Sequence, residues 1–252
     1  MALLTYNTSD IHLRNIAFRL PNLDSWPIEK LYSYIGTPIK QVINRNDKNP
    51  LEPEAPLYAV PPAILLKLGK PPTNNISILD FGEASFAAEP RTKWHTPILL
   101  QAPEALLGEP VGQPTDMWAF ACTVFALFNN KSLFEGFMPT TDDVLSEIVD
   151  TLGRLPERWW WKWEARGEYY EDGRKNIEDL TEEYQEVKPL AVRIGRMRST
   201  PPAAKKAEQL SEEDQVGLRL LLEGCLRYEP GERATAEEVL GMEWIQKLRS
   251  CL

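Results

Sequence analysis

Cysteine and histidine are scarce in this sequence. Cys122, Cys225 and Cys251 stand far apart, and His12 and His95 are the two histidines. Such counts argue against a disulfide framework and against a zinc site of Cys and His, and they suit a reducing compartment. An excess of positive charge is also missing. The chain has 28 lysines and arginines against 37 aspartates and glutamates, a net charge of −9. A general nucleic-acid binder needs basic surface to displace counterions, so that class is disfavoured, whereas a basic peptide suits an acidic surface. Long apolar runs are absent too. The longest, residues 117–128 (MWAFACTVFALF), is too short to cross a bilayer and predicts a buried core helix. Residues 1–4 are too short for the apolar part of a signal peptide. The expected partners therefore exclude nucleic acid and membrane, and the expected location is intracellular, in cytoplasm or nucleus.

What is present is the composition of a globular protein, 43% hydrophobic and 26% charged, over 252 residues. That length can bury a sizeable core. Residues 11–20 read as a short strand segment with Ile16, Ala17 and Phe18 as its apolar part. A proline-rich excursion follows from Pro21 to Pro72, broken by a helical stretch at 28–36. Ile76-Ser77-Ile78-Leu79 is β-prone, and 83–101 reads as a loop. Pro103 to Leu107 opens a short helix. Thr115 is expected to cap the apolar helix that begins near Asp116. Residues 142–152 carry helical spacing through Val144, Leu145, Ile148 and Leu152. Residues 157–188 read as helix fragments, their Trp159, Trp160, Trp161 and Trp163 packing a helix to the core. Arg193 to Lys206 reads as a solvated basic linker. Ser211 with Asp214, and Thr235 with Glu238, mark the starts of two more helices, 211–228 and 235–248.

Five short motifs occur in order along the chain. Asp10 is followed by Asn15 five residues on, a loop that can present a carboxylate to a hydroxyl and an amide oxygen to a metal. Asp80-Phe81-Gly82 ends the β-prone run, with a carboxylate able to chelate Mg²⁺ and a glycine permitting a sharp turn. Ala102-Pro103-Glu104, Asp116-Met117-Trp118 and Pro230-Gly231-Glu232-Arg233 come next. Each is weak alone, and together they stand in the order of the protein-kinase signature.

On these motifs the chain resembles the C-terminal lobe of a eukaryotic-type protein kinase, over nearly its whole length. Residues 20–26 (LPNLDSW), 78–84 (ILDFGEA) and 148–156 (IVDTLGRLP) look most like the SR-protein kinases and a fungal group related to them. The resemblance implies an α+β fold of protein-kinase type: a mostly helical C-lobe with minor β hairpins. Residues 1–252 would form a partial kinase domain, from catalytic loop to final helix, with 19–75 a long insert before Asp80-Phe81-Gly82. The activity implied is ATP-dependent phosphoryl transfer to protein serine or threonine in Arg/Ser-rich sequences, with ATP and Mg²⁺ as cofactors. Asp10 would be the catalytic base, beside His12. Asn15 and Asp80 would hold Mg²⁺. Ile16, Ala17 and Phe18 would lie beneath the adenine. Glu104 and Arg233 would form a buried ion pair, and Asp116 would hold the catalytic loop from below. Thr96 and Pro97 would lie near the substrate pocket.

The chain departs from the family pattern at Thr8 and Ser9, where His and Arg are usual, and at His12, where Lys is usual. A charge on His12 depends on pH. No Gly-x-Gly-x-x-Gly run occurs in the sequence, and the expectation is of a kinase cut short at its N-terminal side and inactive alone. Two alternatives stay open: a catalytically silent binding module, and a small-molecule phosphotransferase.

Overall fold

The computed structural model describes residues 6–7, 10–19, 22–62, 75–86, 96–171, 174–176, 187–195, 197–199 and 208–250. A first short strand, β1 (Tyr6–Asn7), precedes a 3-10 turn at Leu13–Asn15 and then β2 (Ile16–Phe18). Helix α1 (Ile28–Ile35) begins after Pro27 and stops at Gly36. That glycine sits at φ +88°, where a side chain would be strained, and its N–H closes the last turn on Tyr32 O. Strands β3 (Gln41–Val42) and β4 (Tyr58–Ala59) pair antiparallel, as do β2 and β5 (Ile76–Ile78), with Ile16 opposite Ile78. Strand β6 (Ser85–Phe86) pairs antiparallel with β1, Asn7 opposite Ser85.

The remainder is mostly helical. Helices α2 (Pro103–Leu106), α3 (Gln113–Asn129), α4 (Thr141–Leu152), α5 (Glu157–Lys162) and α6 (Arg166–Tyr169) lead to a small antiparallel pair, β7 (Tyr170–Glu171) and β8 (Arg174–Lys175). Helix α7 (Leu190–Gly195) follows, then β9 (Arg198–Ser199) paired with β10 (Glu208–Gln209). The described chain closes with α8 (Glu212–Cys225), a 3-10 turn at Pro230–Glu232, α9 (Ala236–Gly241) and α10 (Glu243–Ser250). Contacts divide the chain into two units, Ile16–Ile78 and the rest. The α+β, mostly helical fold expected from the sequence is the fold observed.

Helix α3 is the centre of the larger unit. It is apolar on every side, which suits a helix surrounded by protein. Trp118, Ala121, Cys122 and Phe125 are buried against Leu218, Leu221, Leu222 and Cys225 of α8. Each large side chain so enclosed contributes about 1.5–3 kcal/mol. Trp118 also stacks on Phe134, ring centres 5.9 Å apart. Asn130 ends the helix in the left-handed region, φ 55°, which asparagine tolerates better than most residues. A second cluster joins Leu145 and Val149 of α4 to Leu155, Trp159, Trp160, Trp163 and Tyr170. Three of the four tryptophans are therefore packing residues, as expected, and Trp161 is exposed. Beneath them Tyr170 donates to Asp150 Oδ1 at 2.8 Å, and Lys175 pairs with the same buried carboxylate.

Three expectations need correction. Thr115 is not the cap of α3: the helix starts three residues before Asp116, at Gln113, with Pro114 in its first turn. Thr115 turns back instead, accepting from Gly112 N at 3.3 Å. The helix expected over 235–248 is two helices, because Met242 takes an extended backbone (ψ 135°). The break turns Trp244 onto α8. Nor is Arg193 part of a solvated linker. Its guanidinium is largely buried, pairs with Glu147 at 2.9 Å and donates to the backbone oxygens of Leu133 and Lys188. Residues 196 and 200–207 of that stretch lie outside the described residues.

Trp244 explains a glycine in the middle of α8. A Cβ on Gly217 would stand 2.1 Å from the Trp244 ring, whose Nε1 donates to Asp214 Oδ1 at 3.0 Å. Glycine within a helix ordinarily costs about 0.5–1 kcal/mol relative to alanine. Here close approach outweighs propensity. Gly217→Ala is expected to destabilise by about 1–3 kcal/mol in urea unfolding, through overpacking. Gly241→Ala, with nothing within 4 Å of its Cβ position, is expected to be neutral or mildly stabilising.

Candidate active site

The loop from Asp10 to Asn15 is held by its own side chains. The 3-10 turn closes with Asn15 N donating to His12 O at 2.9 Å. The buried Asn15 amide then donates to Asp10 twice, to the backbone O at 3.1 Å and to Oδ2 at 2.9 Å. Two acceptors in these places can be met only by the NH₂ end of the amide, so its orientation is fixed. The Asn15 Oδ1 oxygen is thereby turned away from Asp10, and no described residue donates to it. His12 Nδ1 accepts from Arg14 N at 3.1 Å, so a neutral imidazole carries its hydrogen on Nε2. That nitrogen faces Asp10 Oδ1 at 3.3 Å. Asp10 Oδ1 is itself buried and accepts no hydrogen bond among the described residues. Thr8 and Ser9, where the sequence departs from the family pattern, lie outside the described residues.

Asp80 is joined to this loop through the backbone: Leu79 N donates to Asn15 O at 2.8 Å. Asp80 is exposed and has φ +60°, a left-handed conformation that costs a non-glycine residue about 1–3 kcal/mol. Gly82 makes room for it. A Cβ there would come 3.3 Å from Asp80 Oδ1. Phe81, between them, is 55% exposed. The donor set, one carboxylate and one amide oxygen, suits Mg²⁺, a hard cation that keeps several of its waters and takes few protein ligands. No cluster of three or more His, Cys, Asp and Glu able to hold a metal occurs among the described residues.

Glu104 and Arg233, 129 residues apart, meet in the core. Arg233 Nη1 and Nη2 donate to Glu104 Oε1 and Oε2 at 2.6 and 2.7 Å, both residues being at most 5% exposed. The other donors reach Pro114 O, Tyr228 O and Arg227 O at 3.0, 3.1 and 2.8 Å. Thr115 Oγ1 adds a bond to Glu104 Oε1 at 3.0 Å. Burial favours the neutral form of the nearby thiols: it pushes Cys225 up to about 11, against the opposing pull of the Arg233 charge, and raises Cys122 still further.

Asp116 is buried in the first turn of α3. A contact from this helix to the loop is made two turns further on, where the buried Thr123 donates its Oγ1 hydrogen to Ile11 O at 2.9 Å. Sequence reading missed Thr123. The signal for it was a hydroxyl seven residues after Asp116, on the same face, in an otherwise apolar helix. Thr96 is buried, and its carbonyl accepts from Gln101 Nε2 at 2.7 Å. Ile16 and Ala17 are half-buried and Phe18 is 55% exposed, all three in the strand paired with Ile76–Ile78.

Thr123→Val keeps the shape of the side chain and leaves the Ile11 carbonyl unpaired. The expected cost is about 1–3 kcal/mol in urea unfolding. Faster amide exchange confined to residues 11–15 is expected with it. Unchanged exchange there would show that the bond does not hold the loop.

The protein kinase domain family matches residues 63–245. The chain is 28% identical over 180 residues to "Serine/threonine-protein kinase ppk5" of Schizosaccharomyces pombe, which covers 71% of this chain and 20% of that protein. It is 26% identical over 188 residues to "Probable serine/threonine-protein kinase dyrk2" of Dictyostelium discoideum, covering 75% and 19%. With "Serine/threonine-protein kinase AFC2" of Arabidopsis thaliana it shares 25% over 171 residues, 68% and 38% of the two chains. The chain thus spans about a fifth of the length of the first two relatives. With a family match over residues 63–245, most of its length, the chain belongs to the protein kinase family.

Proposed function

We propose that residues 1–252 are the lower lobe of a serine/threonine kinase of the SR-protein-kinase-like group, with 19–75 as an insert. The observation that supports this most is the Asn15 amide. Its two hydrogens are committed to Asp10, which orients the carboxylate and leaves Asn15 Oδ1 free as a ligand. The Asp10 carboxylate, oriented in this way, would take the hydrogen bond of the substrate hydroxyl and act as base. Asn15 and Asp80 would hold Mg²⁺, which together with ATP supplies the transferable phosphoryl group and neutralises its charge. Ile16 to Phe18 would give the adenine an apolar face. The net charge of −9 suits a substrate rich in arginine and serine. The buried Glu104–Arg233 pair weighs against a small-molecule phosphotransferase.

Positioning and electrostatics make up nearly all of kinase catalysis. The 252 residues contain no glycine-rich Gly-x-Gly-x-x-Gly run to cover the phosphates. This favours a second reading for the isolated polypeptide, that of a silent binding module. Radiolabelled phosphate transfer to an Arg/Ser-repeat peptide separates the two. Residues 1–252 alone are expected to transfer no more phosphate than their Asp80→Ala variant. A longer product of the same gene bearing a glycine-rich loop and a strand lysine is expected to be active, and to lose about 100-fold or more with Asp10→Asn. Robust transfer by residues 1–252 that vanishes in Asp80→Ala contradicts the need for an upper lobe. Full activity in the Asp10→Asn variant of the longer product contradicts the assignment of the base.

A further inference from the structure

The unit Ile16–Ile78 differs from the rest of the chain in charge. It holds seven of the 28 basic residues and five of the 37 acidic ones, so it is slightly basic within a strongly acidic polypeptide. Three of these basic residues, Lys40, Arg45 and Lys48, line a cavity of about 650 Å³ beside the β3–β4 hairpin. Lys40, Arg45, Lys48, Asn44, Asn49 and Tyr58 line it, and no carboxylate among the described residues does. Volumes of this size are typical of ligand sites.

The walls are held in place by the loop's own bonds. Ile43 N donates to Leu57 O at 3.1 Å, which extends the hairpin. Asp47 gathers the turn: it accepts from Arg45 Nε and Nη2 at 2.9 and 2.6 Å and from Asn49 N at 3.2 Å. Glu52 accepts from Arg45 Nη1 at 3.2 Å. The Arg45 charge is therefore matched, and its plane is fixed. The two lysines differ from it. Lys40 lies over the Tyr58 ring, 4.4 Å from its centre, and neither Lys40 nor Lys48 has an ion-pair partner among the described residues. Lys48 holds a left-handed backbone, φ 60°, that its turn imposes through Lys48 N to Arg45 O. Around these cations the cavity is apolar, with Leu51, Leu57 and Val42, the last two 72% and 74% exposed.

We infer that this hairpin is a docking site for an extended acidic peptide, whose phosphate or carboxylate groups sit on Lys40 and Lys48 and whose apolar side chains lie on Val42 and Leu57. Charge complementarity selects the partner. A free anion would leave the apolar walls wet. A nucleic acid would meet too few cations on a chain of this net charge. The inference does not depend on the catalytic reading, since no residue of that loop takes part.

The test is fluorescence anisotropy of the full chain with labelled decapeptides of alternating leucine and glutamate, with and without one phosphoserine. Glutamine and lysine versions serve as comparisons. Both acidic peptides are expected to bind, more weakly as salt rises. The lysine and glutamine versions are expected to bind at least tenfold more weakly. Lys40→Glu with Lys48→Glu is expected to reduce affinity on the order of tenfold or more. Lys48→Gly, which suits the left-handed backbone, is expected to lower affinity with unchanged circular dichroism, whereas Lys30→Glu on α1 leaves affinity as it was. If the glutamine peptide binds as tightly as the acidic ones, or if the lysine variants bind like the parent chain, the inference is overturned. The advantage of the phosphoserine peptide over the glutamate one tells which anion the site prefers.

Discussion

Arg233 has five N–H groups, and every one of them is used. Two go to the Glu104 carboxylate and three to backbone oxygens of residues 114, 227 and 228. Taking a guanidinium and a carboxylate out of water is costly, and the attraction between them repays that cost only when geometry is good and remaining donors and acceptors are met. Both conditions hold here: the pair is bidentate, and Thr115 supplies a further donor to Glu104. The Trp118 ring lies 5.1 Å from the guanidinium carbon and closes the site on another side. Removing either partner would leave a buried charge with nothing to answer it. The start of α2, the start of α3 and the turn before α9 are thus tied at one point.

From that point the constraint runs to the Asp10–Asn15 loop. Thr115 and Pro114 fix the beginning of α3, and Thr123, two turns on, bonds to Ile11. Ile11 follows Asp10, whose carboxylate the Asn15 amide orients, and the Asn15 carbonyl accepts from the N–H of Leu79, the residue before Asp80. Asp10, Asn15 and Asp80 are thus linked to the core through these hydrogen bonds and the backbone between them. The apolar surface of α3 does the packing, and its few polar groups do the positioning.

Much of this was legible in the sequence because the signals were local or came in an ordered set. Ser211 with Asp214 and Thr235 with Glu238 announce helix starts by short-range hydrogen bonds, and both form as expected. The motifs from Asp10 to Arg233 carry the fold by their order, which no single motif could do. What escaped was set by tertiary contact. Thr115 looked like a cap, but Glu104, eleven residues earlier, claims its hydroxyl. The Thr235 helix shows no breaker strong enough to announce its interruption at Met242, and the break accompanies the docking of Trp244 on Gly217. Arg193 sat in a basic, proline-containing stretch that read as solvated. Its partner Glu147 is 46 residues away on α4, beyond the reach of any local pattern.

The claim that the Glu104–Arg233 pair organises the lobe is tested most directly by a double-mutant cycle in urea. Glu104→Leu and Arg233→Met are each expected to cost about 3–5 kcal/mol, because each leaves the other charge buried alone. The double variant is expected to be destabilised by much less than the two together, with a coupling of at least about 1–3 kcal/mol. In each single variant, amide exchange should quicken at the start of α3 and in residues 10–15. Single costs below about 1 kcal/mol, or costs that simply add, would contradict the account.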